Sequence, residues 1–325
     1  MINAETFFKR VEDYFYKENI KTNVESHLKL IKDKNDEYYN SLVCDIDFEE
    51  HFFEEIYQRY TTTNSGEFYT PQTIIDFLKN YLGDFSDKSV IDYAAGVGTL
   101  IAQFEAKSKT CIEIKEESSA ISSFRGFKSI NQSAFDHHDK YDIAIINPPY
   151  GIKQYSEFDF INHALKNCDR VVAILPLGVL FRDNMKDNRK EIAKHIKTVF
   201  NLPANTFLTT GIPVCLIDIT KEENDKIKMV ELSTCFDKVG KKNKIKKECY
   251  DYHKKEIKGF AKHVDMETLA ENDYNLSVTR YVYKEVERVE VDIAALNEKS
   301  KELSSQIQEQ EDAMDLIFQM IEKIK

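Results

Sequence analysis

The tetrapeptide Asn147-Pro148-Pro149-Tyr150 carries a specific chemical signal, because it directly follows the apolar run 143–146. An aromatic amine is a poor nucleophile, since its lone pair is delocalised into the ring. The Asn147 side-chain oxygen and the Pro148 carbonyl could each accept one hydrogen of such an amine, and proline would keep that carbonyl aimed. Tyr150 would offer a face for base stacking. A rigid turn closed by prolines is the plainer alternative, but the tetrapeptide favours a site that positions an amine without metal or covalent intermediate.

A glycine turn follows a second apolar run, which ends at Asp92. Gly96 and Gly98 let the backbone turn tightly and approach a ligand that a side chain would block. Glu113 ends the next apolar run, where its carboxylate could accept both hydroxyls of a ribose. A plain strand-to-helix turn is the alternative for the glycines alone. The third glycine of a dinucleotide site is absent, so these residues favour S-adenosylmethionine, an adenosine cofactor without pyrophosphate.

Short apolar runs alternate with helix-length segments through the middle of the chain. The runs cover residues 89–92, 110–113, 142–146, 171–175 and 214–219. Strands spaced in this way form βαβ units and therefore a mostly parallel sheet with helices on both faces. The sequence predicts an α/β fold whose ligand lies at the carboxyl ends of the strands.

The two ends of the chain show a helical pattern of apolar residues instead of short apolar runs. Residues 1–62 repeat apolar side chains at three- and four-residue steps and predict a helical N-terminal region. Residues 284–325 predict one long helix, whose apolar seam runs from Val289 to Ile324 in alternating steps of four and three. A coiled coil is favoured, and packing of this helix on its own domain is the alternative. The predicted core domain therefore covers residues 63–283.

Composition excludes several classes of protein. The 325-residue chain is 42% hydrophobic and 31% charged, which is typical of a globular protein. It has no run of about 18 apolar residues and no start like a secretory signal, so no membrane segment is expected. Its six cysteines lack metal-ligand spacing and predict reduced thiols in a cytoplasmic protein. The net charge of −11 argues against a protein that grips DNA alone, since such proteins carry a basic face.

Residues 238–258 depart from this acidic balance, because they hold nine lysines against three acids. A solvated lysine-rich loop is the commoner explanation of such a run. A contact with DNA phosphates is the alternative.

The motifs together resemble the amino-group DNA methyltransferases, and specifically the modification subunits of type I restriction-modification systems. Three further segments carry the resemblance. Residues 66–71 precede the glycine turn, 201–213 resemble the segment that lines the target-base pocket, and 272–281 resemble the close of the catalytic region. The resemblance spans about residues 63–283. It implies a Rossmann-like S-adenosylmethionine-dependent methyltransferase core that methylates N6 of adenine in DNA.

The resemblance also implies roles for individual positions. An adenine flipped out of double-stranded DNA would meet Asn147 through Tyr150, with Phe207 on its other face. The expected cofactor-binding residues are Glu67, Phe68, Tyr69, Thr70, Pro71, Asp92, Gly96, Val97, Gly98, Thr99 and Glu113. The glycine turn departs from the family pattern at Tyr93, Val97 and Thr99. The residue that contacts the cofactor adenine is left open between Gln132 and Ser133.

Partners follow from the same resemblance. It implies a separate specificity subunit that reads the DNA sequence and receives the C-terminal coiled coil, with a restriction subunit as a further partner. Two other functions remain open. An RNA or protein-glutamine methyltransferase could use the same tetrapeptide, since an amide or another base amine has similar geometry. A non-catalytic assembly subunit could carry an altered glycine turn that binds no cofactor.

Overall fold

The computed structural model describes residues 4–32, 69–207, 211–283 and 293–322. The strands in these ranges are β1 (Phe85–Asp92), β2 (Ala106–Glu113), β3 (Lys128–Asn131), β4 (Tyr141–Ile146), β5 (Cys168–Pro176), β6 (Ile196–Asn201), β7 (Val214–Thr220), β8 (Lys226–Glu231), β9 (Phe236–Val239), β10 (Lys242–Ile245) and β11 (Ala261–Asp265). The helices are α1 (Ala4–Lys17), α2 (Val24–Lys32), α3 (Gln72–Leu82), α4 (Thr99–Ala102), α5 (Glu116–Phe124), α6 (Glu157–Asn167), α7 (Lys186–Ile192), α8 (Met266–Glu271), α9 (Val278–Tyr281) and α10 (Ile293–Glu322). The described chain divides into two compact units, one within residues 1–284 and one within 285–325.

Nine strands of the first unit form one sheet in the order β11-β8-β6-β7-β5-β4-β1-β2-β3. Neighbours from β5 to β3 are parallel, whereas β7 runs antiparallel between β5 and β6. The predicted, mostly parallel sheet is confirmed, and each of the five apolar runs lies in a strand. Sequence reasoning missed β3, β6, β8 and β11, because lysines near their amino ends interrupt the apolar pattern.

The strand order reverses at β1. The chain passes from β1 to β2 and β3 on one side and then crosses to β4 on the other. Connections that leave in opposite directions open a crevice at the carboxyl ends of the two central strands. Asp92 ends β1 and Asn147 follows β4, so both residues lie at this crevice.

Alternate side chains of the strands enter two separate apolar cores, as the period of a strand requires. Ile91 and Ile112 belong to the core that includes α6, and Val90 and Cys111 to the core that includes α3. Helices therefore cover both faces of the sheet, as predicted from its apolar strands. The described cysteines are buried free thiols at Cys111, Cys168, Cys215, Cys235 and Cys249.

Two helices of the predicted N-terminal region lie within the described residues. In α1, Phe8, Val11 and Phe15 are buried, and the His27 ring of α2 meets the Phe15 ring edge-on at 4.8 Å. α2 in turn packs on α5. Residues 33–62 lie outside the described residues, and the domain boundary at residue 62 stays a prediction.

The second unit is the helix α10, which confirms the predicted long C-terminal helix. Its apolar side chains are 49–69% exposed at Ile293, Leu296, Leu303, Ile307, Met314 and Ile317. Pairing of this helix in a coiled coil stays a prediction, and the seam ends Val289 and Ile324 lie outside the described residues. None of the helices described has the length and apolar character that crossing a membrane requires.

Candidate active site

A cavity of about 240 Å³ opens at the carboxyl ends of β1, β2 and β4. Its lining includes residues that the sequence singled out at widely separated positions. They are Tyr69, Thr70, Asp92, Gly96, Thr99, Glu113, Asn147 and Pro149. The fold thus brings the segment before α3, the glycine turn, the end of β2 and the tetrapeptide to one place.

The glycine turn is built on two left-handed residues, Gly96 at φ 54° and Gly98 at φ 82°. This region of backbone conformation favours glycine. Gly96 lines the cavity, whereas a Cβ on Gly98 would lie 2.9 Å from the Phe127 ring. Gly98 therefore permits close packing of the turn on Phe127. Val97 between them is buried, and its carbonyl accepts a hydrogen bond from Arg125 Nη1 at 2.7 Å.

Glu113 joins the glycine turn to the end of β2. Its Oε2 accepts a hydrogen bond from the Gly96 N–H, and its Oε1 accepts one from the Lys115 N–H, both at 2.8 Å. These bonds hold the carboxylate at the cavity. Each carboxylate oxygen has two lone pairs, so the group could still accept hydroxyl donors from a ligand.

Asp92 is a buried carboxyl in the cavity wall, only 1% exposed. Burial and, to a smaller extent, the negative charge of Glu113 raise its pKa to about 7, against the opposing effect of a hydrogen bond from the Ala94 N–H. A carboxyl with this pKa is poised to ionise near neutral pH. A cationic ligand group beside Asp92 would favour the ionised form.

The Asn147 carboxamide is held from both ends. The Tyr150 hydroxyl donates to Asn147 Oδ1 at 2.6 Å, and Asn147 Nδ2 donates to Thr70 Oγ1 at 3.1 Å. Oxygen and nitrogen ends thus have partners of opposite character, which fixes the orientation of the amide. The carbonyl oxygen has two lone pairs, and one suffices for the Tyr150 hydroxyl.

The two aromatic side chains expected to contact a target base are buried. Tyr150 is 8% exposed and Phe207 is 1% exposed, and both belong to the apolar core that includes α3. Neither side chain is among the residues that line the cavity. Burial raises the pKa of the Tyr150 hydroxyl well above its usual value, so this group is a hydrogen-bond donor. The stacking roles of both residues stay predictions.

An aromatic wall of the cavity was missed in the sequence. The Phe135 ring stacks on Tyr155, with ring centroids 3.9 Å apart and an interplanar angle of 29°. Ser133 also lines the cavity, and its hydroxyl accepts from the Phe135 N–H at 3.3 Å. Of the two residues left open for the cofactor adenine, Ser133 is therefore the one at the cavity. Phe135 lies two residues after Ser133 in the sequence, and this aromatic residue could have indicated the wall of the cavity.

Thr99 contributes a buried hydroxyl that has no hydrogen-bond partner among the described residues. Its side chain lines the cavity, and within the described residues its hydroxyl makes no hydrogen bond. A buried, unsatisfied hydroxyl costs about 1–3 kcal/mol. A polar ligand group in the cavity could supply the missing partner.

Comparison with known proteins identifies the family. The family model described as N-6 DNA Methylase matches residues 45–126 and 153–290, more than half of the chain. The chain belongs to the N-6 DNA methylase family. The resemblance inferred from the motifs is confirmed at this level, and the tetrapeptide 147–150 lies between the two matched segments.

Relatives of this chain include two curated proteins. The type I restriction enzyme MpnII methylase subunit of Mycoplasma pneumoniae is 24% identical, over 84% of this chain and 63% of the relative. The MjaVII methylase subunit of Methanocaldococcus jannaschii is also 24% identical, over 80% of this chain and 56% of the relative. The chain thus spans less than two thirds of the length of these relatives.

A solved structure shares the fold. The type I restriction-modification system methyltransferase subunit from Streptococcus thermophilus superposes with a TM-score of 0.63 at 24% identity, covering 75% of this chain and 67% of that one. The predicted fold class, a Rossmann-like methyltransferase core, is confirmed by this likeness.

The remaining predicted positions of this chain lie around the cavity or outside the described residues. Pro71 precedes α3 as its N-cap residue, in an extended conformation. Pro148 is not among the lining residues, although its neighbours Asn147 and Pro149 are. Glu67 and Phe68 lie outside the described residues.

Proposed function

We propose that this chain is the methyltransferase subunit of a type I restriction-modification system, which transfers a methyl group from S-adenosylmethionine to N6 of adenine in DNA. Membership of the N-6 DNA methylase family and the similarity to methylase subunits of type I restriction enzymes support this assignment. The observation that carries it is the oriented Asn147 carboxamide in the wall of the cavity at the carboxyl ends of β1, β2 and β4.

The cavity fits S-adenosylmethionine by the chemistry of its polar groups. Asp92 would take the ammonium of the methionine part, since a cation favours the ionised form of this buried carboxyl. Glu113 would accept the ribose hydroxyls, and Thr99 would gain the partner it lacks. The aromatic wall at Phe135 suits the flat face of an adenine. When bound, the cofactor would supply an electrophilic methyl group.

The target adenine would be held by acceptors that are already in place. Asn147 Oδ1 and the Pro148 carbonyl would each accept one N6 hydrogen, which leaves the lone pair of N6 free to attack. Because Tyr150 and Thr70 fix the amide beforehand, little reorganisation is needed. The same two oxygens would stabilise the positive charge that develops on N6 before N6 releases its proton to water. The base must leave the duplex to reach Asn147.

A specificity subunit is the proposed partner of α10. The exposed apolar seam of this helix is the kind of surface that promotes association. Residues 284–325 hold eleven acids and six bases, so two copies side by side would repel each other. A basic or mixed partner helix is therefore favoured over self-pairing, and a restriction subunit would join the assembly as a further component.

The experiment that tests the function measures the methylated product directly. The chain, co-purified with the products of its neighbouring genes, is incubated with unmethylated DNA and labelled S-adenosylmethionine, and the DNA is digested to nucleosides. We expect N6-methyladenine. Methylated RNA or methylated glutamine instead would favour the first alternative function. Failure to bind the cofactor in calorimetry would favour the non-catalytic assembly subunit.

A further inference from the structure

A lysine-rich hairpin projects from the chain between β8 and β11. β9 and β10 form a separate two-stranded antiparallel sheet, and Gly240 at φ 60° opens its two-residue turn, a conformation that favours glycine. Residues 236–247 contain six lysines and one aspartate, in a chain with a net charge of −11. The hairpin thus reverses the charge of the chain locally.

Most of these lysines have no partner of opposite charge among the residues that the structure describes. Within the described residues, no hydrogen bond or ion pair involves the exposed side chains of Lys238, Lys241, Lys244 and Lys247. Lys246 alone approaches acids, with Asp237 at 3.7 Å and Glu248 at 3.8 Å. Neighbouring like charges repel one another unless a counter-charge is supplied. The unpaired lysines favour a hairpin that binds a polyanionic partner over a solvated surface whose charges form ion pairs with one another.

The hairpin is fixed to the core and to the loop that follows β6. Ile245 is buried, and its N–H donates to Thr73 Oγ1 at 2.8 Å. Asn243 Nδ2 donates to the Ala204 carbonyl at 2.7 Å, and its N–H donates to the Asn205 carbonyl at 3.0 Å. These hydrogen bonds fix the hairpin that carries the lysines to the rest of the unit.

The same anchors place the hairpin at the edge of the sheet that carries the cavity. The loop 203–207 follows the carboxyl end of β6, and Lys242 Nζ donates a hydrogen bond to the Phe207 carbonyl in this loop. Thr73 lies three residues after Thr70, which lines the cavity. The segment expected to line the target-base pocket is thus directly bonded to the hairpin.

We propose that the β9–β10 hairpin binds the phosphate backbone of duplex DNA beside the target base. This inference rests on the proposed function for the choice of DNA as the polyanion. Lysine contacts to phosphates position a protein on DNA and supply affinity without reading its sequence. The hairpin would therefore give this acidic chain its own DNA affinity, and a specificity subunit would add the choice of sequence.

The test compares two triple variants of the full chain. The hairpin variant carries Lys238→Gln, Lys241→Gln and Lys244→Gln. The control carries Lys107→Gln, Lys197→Gln and Lys226→Gln, which are exposed lysines near the amino ends of β2, β6 and β8, at the opposite edge. Fluorescence anisotropy measures binding of a labelled DNA duplex over a series of salt concentrations, without cofactor.

Because the association constant K falls with rising salt, we expect a less steep dependence in the hairpin variant. The magnitude of the slope of log K against log salt concentration should decrease by about 2.7, since each phosphate contact contributes about 0.9. The control variant should keep the wild-type slope. The single variant Lys241→Gln, at the turn, should decrease the magnitude of the slope by about 0.9. It provides the test if the triple variant does not fold. Equal slopes in the hairpin and control variants, or no binding of duplex by the wild-type chain at low salt, would overturn the proposal.

The outcome is separable from that of the proposed function, because binding is measured without methyl transfer. A chain that binds duplex through the hairpin but transfers no methyl group would contradict the proposed function and support this inference. A chain that methylates DNA while the hairpin variant keeps the wild-type slope would contradict this inference alone. Lysine-dependent binding of duplex RNA in preference to DNA would also overturn it.

Discussion

The Tyr150 hydroxyl donates a hydrogen bond of 2.6 Å to Oδ1 of Asn147, the oxygen expected to accept a hydrogen bond from the target amine. Tyr150 itself is buried in the core beside α3 and does not line the cavity. In this structure its polar end therefore orients the carboxamide, while Thr70 holds the amide nitrogen. This arrangement separates two roles for the tyrosine, stacking through the ring and orientation through the hydroxyl.

Tyr150→Phe separates these roles, because it removes the hydroxyl and keeps the ring. We expect kcat to fall roughly 2- to 13-fold, the equivalent of one hydrogen bond of about 0.5–1.5 kcal/mol, with unchanged affinity for S-adenosylmethionine. Single-turnover methylation and calorimetry measure the two quantities. A variant with the wild-type rate would show that the hydroxyl does not orient the amide.

Thr70 should act through the same amide. Thr70→Val removes the acceptor of Asn147 Nδ2 and should cost about 1–3 kcal/mol in the free energy of activation, whereas Thr70→Ser keeps a hydroxyl and serves as the matched control. The comparison is made in kcat under saturating cofactor. Equal rates for the valine and serine variants would argue against positioning by this hydroxyl.

Glu113→Gln should weaken cofactor binding by about 1–3 kcal/mol, because the ribose hydroxyls would lose a charged acceptor. One of the two backbone ties, to Gly96 or to Lys115, would also be weakened. Glu117→Gln, on the exposed surface of α5, is the matched control. Calorimetry that gives equal affinities for both variants would mean that the cofactor does not contact Glu113.

Asp92 should make cofactor binding depend on pH. Its pKa of about 7 means that the carboxyl is largely protonated below neutrality, and only the ionised form attracts an ammonium group. Affinity should therefore rise from about pH 6 to about pH 8 and then level off. Asp92→Asn should bind more weakly and show a flat profile. The same pH dependence in both proteins would contradict a role for Asp92.

The same carboxyl predicts the sign of a stability effect. Its pKa is raised on folding from an ordinary value of 3.8, so between about pH 4 and pH 7 the folded chain holds a proton that the unfolded chain has lost. Its contribution to the free energy of unfolding is present below that range and is lost as the pH rises through about 7. Thermal unfolding of Asp92→Asn should lack this decline, and an unchanged decline would place its source elsewhere.

Deletion of residues 285–325 tests the proposed role of α10. This segment forms a separate compact unit, so the remaining chain should still fold and bind S-adenosylmethionine. It should lose the specificity subunit in co-purification and methylate specific DNA poorly. A truncated chain that retains its partner and its full rate would show that the helix is not the docking element.

The sequence revealed those parts of the site whose residues end an apolar strand. Asp92 and Glu113 end β1 and β2, and Asn147 follows β4, so the parallel topology alone brings them to one edge. The wall of Phe135 and Tyr155 was missed because these residues are twenty positions apart and meet only in the folded chain. The orientation of Tyr150 could not be predicted from the local sequence, because it depends on the packing around its side chain in the folded chain.

The central claim is tested most directly by Asn147→Ala, with methyl transfer and cofactor affinity measured on the same preparation. Loss of a preorganised group at the reacting atom should lower kcat by about 10²–10³-fold, or about 2.7–4 kcal/mol, by analogy with an oxyanion-hole donor. Affinity for S-adenosylmethionine should stay close to that of the wild-type chain, because Asn147 would touch the target amine. Adenine methylation retained within about tenfold of the wild-type rate would contradict the assignment.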